Sequence, residues 1–112
     1  MKKLLMSIFT LMWSSNLVCA NETSIQTTIS TIQAYPEYGN GDVIFKISAS
    51  SDICKGYWLS PATPGFEANL SLLLSAYHSS AKVHIYGLTE QSNKWAGSGT
   101  HHCKLYSIRL AK

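Results

Sequence analysis

The fold is decided by residues 63–87, which read TPGFEANLSLLLSAYHSSAKVHIYG. The apolar residues in the first part of this stretch recur at the spacing of one helix face. They are Phe66, Leu70, Leu73, Leu74 and Tyr77. Thr63 followed by Pro64 is typical of an N-cap and a first helical position. We therefore predict one helix here, which ends before the alternating pattern of residues 82–87.

Five segments around this helix have the composition or the alternation of β-strands. They are residues 25–35, 43–48, 56–60, 82–87 and 103–110. The first changes the parity of its apolar residues midway, which predicts a bulged and bent strand. The turn-forming residues between 35 and 42 predict a hairpin that joins the first two strands.

The order of these elements predicts the fold class. Three strands, a helix and two further strands indicate a mainly β protein with one helix. We expect a five-stranded, partly open barrel of the OB type, in which the helix plugs one end. An α+β two-layer sheet with one packed helix is the alternative. The chain has 112 residues, and we expect a single OB-like domain over 21–112.

The composition excludes some classes of protein. Only 13% of the residues are charged, whereas 46% are hydrophobic and 11% are aromatic, which excludes intrinsic disorder. The formal net charge is +3, and its basic residues are dispersed after the first few positions. Nucleic-acid binding requires a dense basic patch, so we do not expect a nucleic-acid partner.

The N-terminus has the features of a secretory signal peptide. Lys2 and Lys3 precede an apolar run over residues 4–13, and the small residue Ala20 follows. This order predicts a signal over residues 1–20, cleaved between Ala20 and Asn21. The apolar run is shorter than the roughly 20 residues that cross a bilayer, so we expect no membrane span in the mature chain. The predicted localisation is secreted or periplasmic.

The mature chain keeps two cysteines, because Cys19 leaves with the signal. In an oxidising compartment, Cys54 and Cys103 are expected to form a disulfide. The adjacent His101 and His102 raise the question of a zinc site. A cysteine in a disulfide supplies no thiolate, however, and we predict neither a metal nor another cofactor.

The sequence contains no pattern typical of a catalytic site. It has neither a Gly-x-Ser-x-Gly elbow nor a His-Glu-x-x-His helix, and its acidic residues fall mostly in turns. We therefore predict that the protein is not an enzyme. A small hydrolase is the weakest of the functional hypotheses, after the two binding functions given below.

Aromatic residues in polar, glycine-rich segments are the candidates for ligand binding. Tyr57, Trp58 and Trp95 are the predicted contacts, since rings presented from loops grip sugars or peptides with little loss of entropy. The alternative for Trp58 is a core position over the disulfide.

The helix and the strand after it resemble a known family. Phe66 and Leu70, followed by Val83 and Ile85, together with the signal and the strand order, resemble the B subunits of bacterial AB-type toxins, subtilase-cytotoxin B subunits in particular. The resemblance implies an OB fold, a ring of five subunits, recognition of sialylated host glycans and no catalysis in this chain. It assigns no sugar-contacting residue. Residues 56–61, GYWLSP, also look like a motif of small exported bacterial proteins of unknown role.

These observations predict an exported, non-catalytic binding module. The first hypothesis is a glycan or cell-surface recognition subunit like a toxin B subunit, which assembles as a homo-oligomer. The second is a periplasmic accessory or inhibitor protein that binds another protein.

Overall fold

The computed structural model describes residues 20–112. Apart from Ala20, the predicted signal peptide therefore lies outside the described residues. The strands are β1 (Asn21–Thr23), β2 (Ile29–Ala34), β3 (Val43–Ile47), β4 (Gly56–Leu59), β5 (Val83–Leu88) and β6 (His102–Leu110), and the helix is α1 (Phe66–Ser79). No helix within residues 20–112 is long and apolar enough to cross a bilayer.

All six strands belong to one mixed sheet in the order β1-β5-β6-β4-β3-β2. The pairs are antiparallel except β4 with β6, which is parallel; α1 and β5 form the connection between these two strands. The prediction of a mainly β protein with one helix is confirmed. The five-stranded barrel is not confirmed, since the sheet has six strands and is not closed.

The sixth strand is β1, which lies before the predicted first strand; of the predicted residues 25–35, only Ile29–Ala34 form a strand, β2. β1 pairs with β5 at one edge of the sheet, while β2 pairs with β3 at the other edge. Thr27 forms an isolated bridge with Val83 between them. The predicted bulge is confirmed by a register shift between Ile29 and Thr31. One continuous N-terminal segment thus supplies both edge strands.

The hairpin predicted at residues 35–42 is confirmed. Tyr35 donates its backbone N–H to the carbonyl of Asp42 at 2.9 Å, which closes the turn. Asn40 and its two glycine neighbours have positive φ, and Gly39 at φ 61° also lies against the Asp42 carboxylate with no room for a Cβ. A side chain at position 39 would therefore be strained and would displace Asp42.

Helix α1 covers the core with a narrower face than predicted. Leu73 and Ala76 are fully buried, and Phe66 and Leu70 pack partly against the same core. Leu74 and Tyr77, also predicted for this face, remain 39% and 43% exposed.

The start of α1 also differs from the prediction. The residue that caps it is Gly65, and the helix begins at Phe66. Thr63 instead accepts the N–H of Phe66 through its carbonyl at 3.0 Å, so Thr63 and Pro64 belong to the preceding turn.

The predicted disulfide is confirmed. Cys54 and Cys103 are joined, with a Cα–Cα distance of 5.3 Å, and both are buried. Glu22 of β1 holds the segment that carries Cys54, because its two carboxylate oxygens accept the N–H groups of Ile53 and Cys54 at 3.0 Å each. A buried disulfide indicates an oxidising environment outside the cytosol.

Glu22→Gln is expected to lower the free energy of unfolding by about 1–2 kcal/mol, since an amide offers one acceptor oxygen where two N–H groups need acceptors. Urea unfolding of the variant measures this loss. Glu37→Gln, on an exposed side chain, is the matched control and should be neutral. Equal stability of the two variants would contradict the role given to Glu22.

Candidate functional site

The strands β2, β3, β4 and β6 present one face away from the core. Cross-strand partners lie on the same face of a sheet. Thr31 pairs with Lys46, Gln33 with Ile44, Ile44 with Trp58, Trp58 with Lys104, and Gly56 with His102. The neighbouring residues Phe45 and Tyr57 have the opposite parity and are buried in the core. We call the side away from the core the outer face.

A groove of about 630 Å³ lies on the outer face. Its floor comes from β2 and β3, and one wall comes from the segment between β5 and β6. Hydroxyl, amide and ammonium groups are spread along its lining, where they are contributed by Thr31, Gln33, Lys46, Ser98 and Thr100. The groove therefore offers hydrogen-bond donors and acceptors along its length, instead of one apolar slot.

Trp95 forms the inner part of the groove wall. Its side chain is 4% exposed, and its indole N–H donates to Oδ2 of the buried Asp42 at 2.9 Å. Its ring centroid lies 5.5 Å from that of Tyr35 and 5.4 Å from that of Tyr38. His102 meets the same ring at 5.6 Å, edge to face. We call these four rings the aromatic cluster; it joins the hairpin turn to the loop before β6.

The loop that carries Trp95 is fixed at two points. The backbone N–H of Trp95 donates to the carbonyl of His102 at 3.0 Å. Gly97 lies over the edge of the indole, so that a Cβ at this position would overlap the ring. The tryptophan is thus part of the framework that shapes the groove.

His102 is a buried titratable group of the site. It is 3% exposed, and its Nδ1 lies 3.3 Å from the carbonyl oxygen of Thr100. Its Nε2 is buried and has no hydrogen-bond partner among the described residues. Burial is the main cause that lowers the pKa of His102. The hydrogen bond to the Thr100 carbonyl opposes this shift, and the positive charges of Lys46 and Lys94 lower the pKa further. The ring is therefore neutral at neutral pH.

The structure separates the three predicted ligand contacts. Trp95 borders the groove, and the half-buried Trp58 lies on the same outer face, where its indole N–H donates to the Asn93 carbonyl at 2.8 Å. Lys104 Nζ is 5.7 Å from the centre of the Trp58 ring. Tyr57 lies on the opposite face, fully buried and stacked on Phe45.

The position next to the disulfide belongs to Tyr57 and not to Trp58. Tyr57 pairs with Cys103 across β4 and β6. A Cβ added to Gly87 would lie within 3.0 Å of the Tyr57 ring, Cys54 Sγ and Cys103 Cβ alike. The expectation that Trp58 covers the disulfide is therefore wrong, and Tyr57 has no ring face open to a ligand in this structure.

The sequence prediction did not name Gln33 and Lys46 of the groove, Tyr38 of the aromatic cluster, or Asp42 as contacts of the site. Lys46 is exposed in the alternating pattern of β3, and this alternation was the signal that could have identified it. Gln33 had no such signal, because exposure does not alternate along β2. Tyr38 is 46% exposed on the aromatic cluster. Asp42 had no visible signal, since its partner Trp95 is 53 positions away in the sequence.

The histidines near Cys103 form no metal site in the part of the chain that the structure describes. No group of three or more His, Cys, Asp or Glu side chains within residues 20–112 converges as ligands. The sulfur of Cys103 is bonded to Cys54. Comparisons with known protein families and with curated proteins find no match to this chain.

Proposed function

We propose that this protein is an exported, non-catalytic binding module of the OB type whose groove recognises a glycan. The observation that carries the proposal is the groove itself, with polar groups along its floor and an aromatic cluster at its wall. Sugars present hydroxyl groups in the ring plane and C–H groups on the ring faces. They therefore suit a site that combines hydrogen-bonding side chains with aromatic rings.

The topology supports an OB-type barrel. When β1 and β2 are taken as the two halves of one bent strand, the sheet order runs first-second-third-fifth-fourth-first, with α1 between the third and fourth strands. OB folds bind oligosaccharides and oligonucleotides on the second and third strands and on two flanking loops. The corresponding parts here are β3, β4, the 35–42 turn and the loop before β6. Residues of β3, Tyr35 of the turn and the loop before β6 line the groove, whereas β4 does not.

The charge around the groove favours a sugar over a nucleic acid. Lys46 lines the groove and Lys94 lies in its wall loop, where its ammonium donates to the Ser98 carbonyl at 2.8 Å. Two cations are few for a surface that must displace the counterions of a polyanion.

Tyr38 is the ring that we place against the sugar. It is 46% exposed, and its ring contacts the rings of Tyr35 and Trp95. Like the toxin B subunits that the chain resembles, the protein would present this surface repeatedly in a homo-oligomer, and any catalysis would belong to a separate chain. Secretion or a periplasmic location agrees with the buried disulfide.

A second candidate function is docking on another protein. Leu72, Leu74 and Tyr77 of α1 are each more than a third exposed. An accessory or inhibitor protein would use such an apolar surface for its partner. This candidate requires no sugar in the groove.

A glycan array probed with the protein purified after export tests the first proposal. We expect the wild type to bind a defined set of glycans. Gln33→Ala combined with Lys46→Ala should reduce that binding by about tenfold or more, which corresponds to the loss of hydrogen bonds worth about 1.5–3 kcal/mol. Both side chains are exposed, so the fold should be unaffected.

Lys82→Ala, on a lysine that does not line the groove, is the control and should bind as the wild type does. An array without signal for the wild type would contradict glycan recognition. Undiminished binding by the double variant would place the sugar elsewhere on the molecule and overturn the groove as its site.

A further inference from the structure

His102 holds the groove wall in place through contacts on three sides. Its carbonyl accepts the N–H of Trp95, and its ring meets the indole edge to face. Its imidazole carbons and Nε2 lie against Gly56, where a Cβ would overlap the ring. The pairing of β4 with β6 begins at this contact, since Gly56 is the register partner of His102.

The surroundings of His102 fix which nitrogen carries the hydrogen. The carbonyl of Thr100 can only accept a hydrogen bond, so Nδ1 is the N–H nitrogen of the neutral ring. Nε2 then carries a lone pair. It lies over Gly56, and no hydrogen-bond donor among the described residues reaches it. The neutral ring fits this space, whereas a hydrogen on Nε2 would find no acceptor.

The charges that face the ring also oppose a positive imidazole. Three neighbouring groups lower the pKa of His102 by charge repulsion. They are Lys46 of β3, Lys94 of the wall loop and His101. The residue of β4 that lies against the His102 ring is Gly56, which carries no charge. Asp42 faces the cluster from the hairpin turn, but its Oδ2 is occupied by the indole N–H of Trp95.

We propose that His102 is a pH-sensitive latch, and that its protonation in mildly acidic solution releases Trp95 and its loop from the outer face. A proton from the solvent binds to Nε2, and the resulting cation leaves its contact with Gly56 to reach water. The edge-to-face contact with Trp95 and the backbone bond to it are lost together. The groove wall opens while the disulfide and the inner core remain.

The pH range follows from the direction of the shift. An unfolded or released histidine has a pKa of about 6.5, and burial lowers the pKa of His102 in the closed state. The closed loop is therefore fully favoured above about pH 6.5 and loses stability as the pH falls toward the lower folded-state pKa. If the groove binds a glycan as proposed, the ligand is released in the same range.

The test uses Trp95 as its own reporter. Trp58→Phe leaves Trp95 as the single tryptophan between residues 20 and 112. We expect its emission to shift to longer wavelength and its quenching by acrylamide to rise severalfold as the pH falls below about 6.5. The far-ultraviolet circular dichroism should change little. A proton NMR titration of the His102 ring should show the same midpoint.

Four variants in this background identify the group responsible. His102→Phe should abolish the shift between neutral pH and pH 5, whereas His101→Gln should retain it. Gly56→Ala pushes the ring out of its place and should give the acid-like emission and quenching at pH 7.5, while Gly99→Ala, with open space at its Cβ, should not.

Two results would overturn the latch. One is a His102 ring that titrates while acrylamide quenching of Trp95 stays constant; the other is an acid transition that persists in His102→Phe. Because no ligand is present in these measurements, they fail or succeed independently of the glycan proposal.

Discussion

Replacing Cys54 and Cys103 together by alanine is expected to lower the free energy of unfolding by about 4 kcal/mol. The disulfide joins residues 49 positions apart, and opening this loop restores most of its entropy to the unfolded chain. Both cysteines are buried, so the alanines leave apolar methyl groups in the core instead of exposed polar groups. A loss of this size is a large share of the stability of a small domain.

Urea unfolding of the double variant, beside oxidised and reduced wild type, measures the effect. Reduced wild type should behave like the double variant, because the same loop is opened with the sulfurs still present. A difference below about 1 kcal/mol between the oxidised protein and the variant would show that the disulfide adds little to the fold.

Trp95→Ala is expected to cost about 3–5 kcal/mol, the usual range for a buried tryptophan. The substitution empties the centre of the aromatic cluster and leaves the buried Asp42 carboxylate without its donor. The loop before β6 would then lose its contact with the hairpin turn.

Trp58→Ala is the matched control on the same outer face. Trp58 is half-buried and its ring has Lys104 nearby, so its removal should cost clearly less. Thermal unfolding of both variants decides the comparison. If the two losses are equal, the buried bond between Trp95 and Asp42 contributes no more than ordinary packing.

This expected loss affects how binding is tested. A Trp95→Ala protein that fails to bind a glycan would have lost its groove wall as well as any contact from the ring. Variants of Gln33 and Lys46 separate the two effects, because these side chains line the groove and are exposed.

The parts of the fold that were predicted correctly are those with local patterns. Helix α1 and strand β5 follow each other along the chain, and the spacing of their apolar residues does not depend on distant partners. The hairpin at 35–42 has its turn residues within it. The disulfide followed from the count of cysteines in an exported chain.

Strand β1 was missed because Asn21–Thr23 has no apolar alternation, and its pairing with β5 lies more than 60 positions away. The site shows the same limit. Trp95 was identified by its loop, but its burial depends on Asp42, 53 positions earlier. In the short strand β4, Tyr57 and Trp58 are adjacent rings of opposite parity, and only their partners determine which one faces the core.

The N-terminal segment that forms both edge strands has a consequence for solubility. An uncovered strand edge presents unpaired N–H and C=O groups to other chains and invites aggregation. In this protein about fourteen consecutive residues protect β3 and β5 at once. A newly made molecule in which residues 21–34 have not yet folded would therefore expose the edges of both β3 and β5 to pairing with other chains. Folding of this one short segment covers both of these edges.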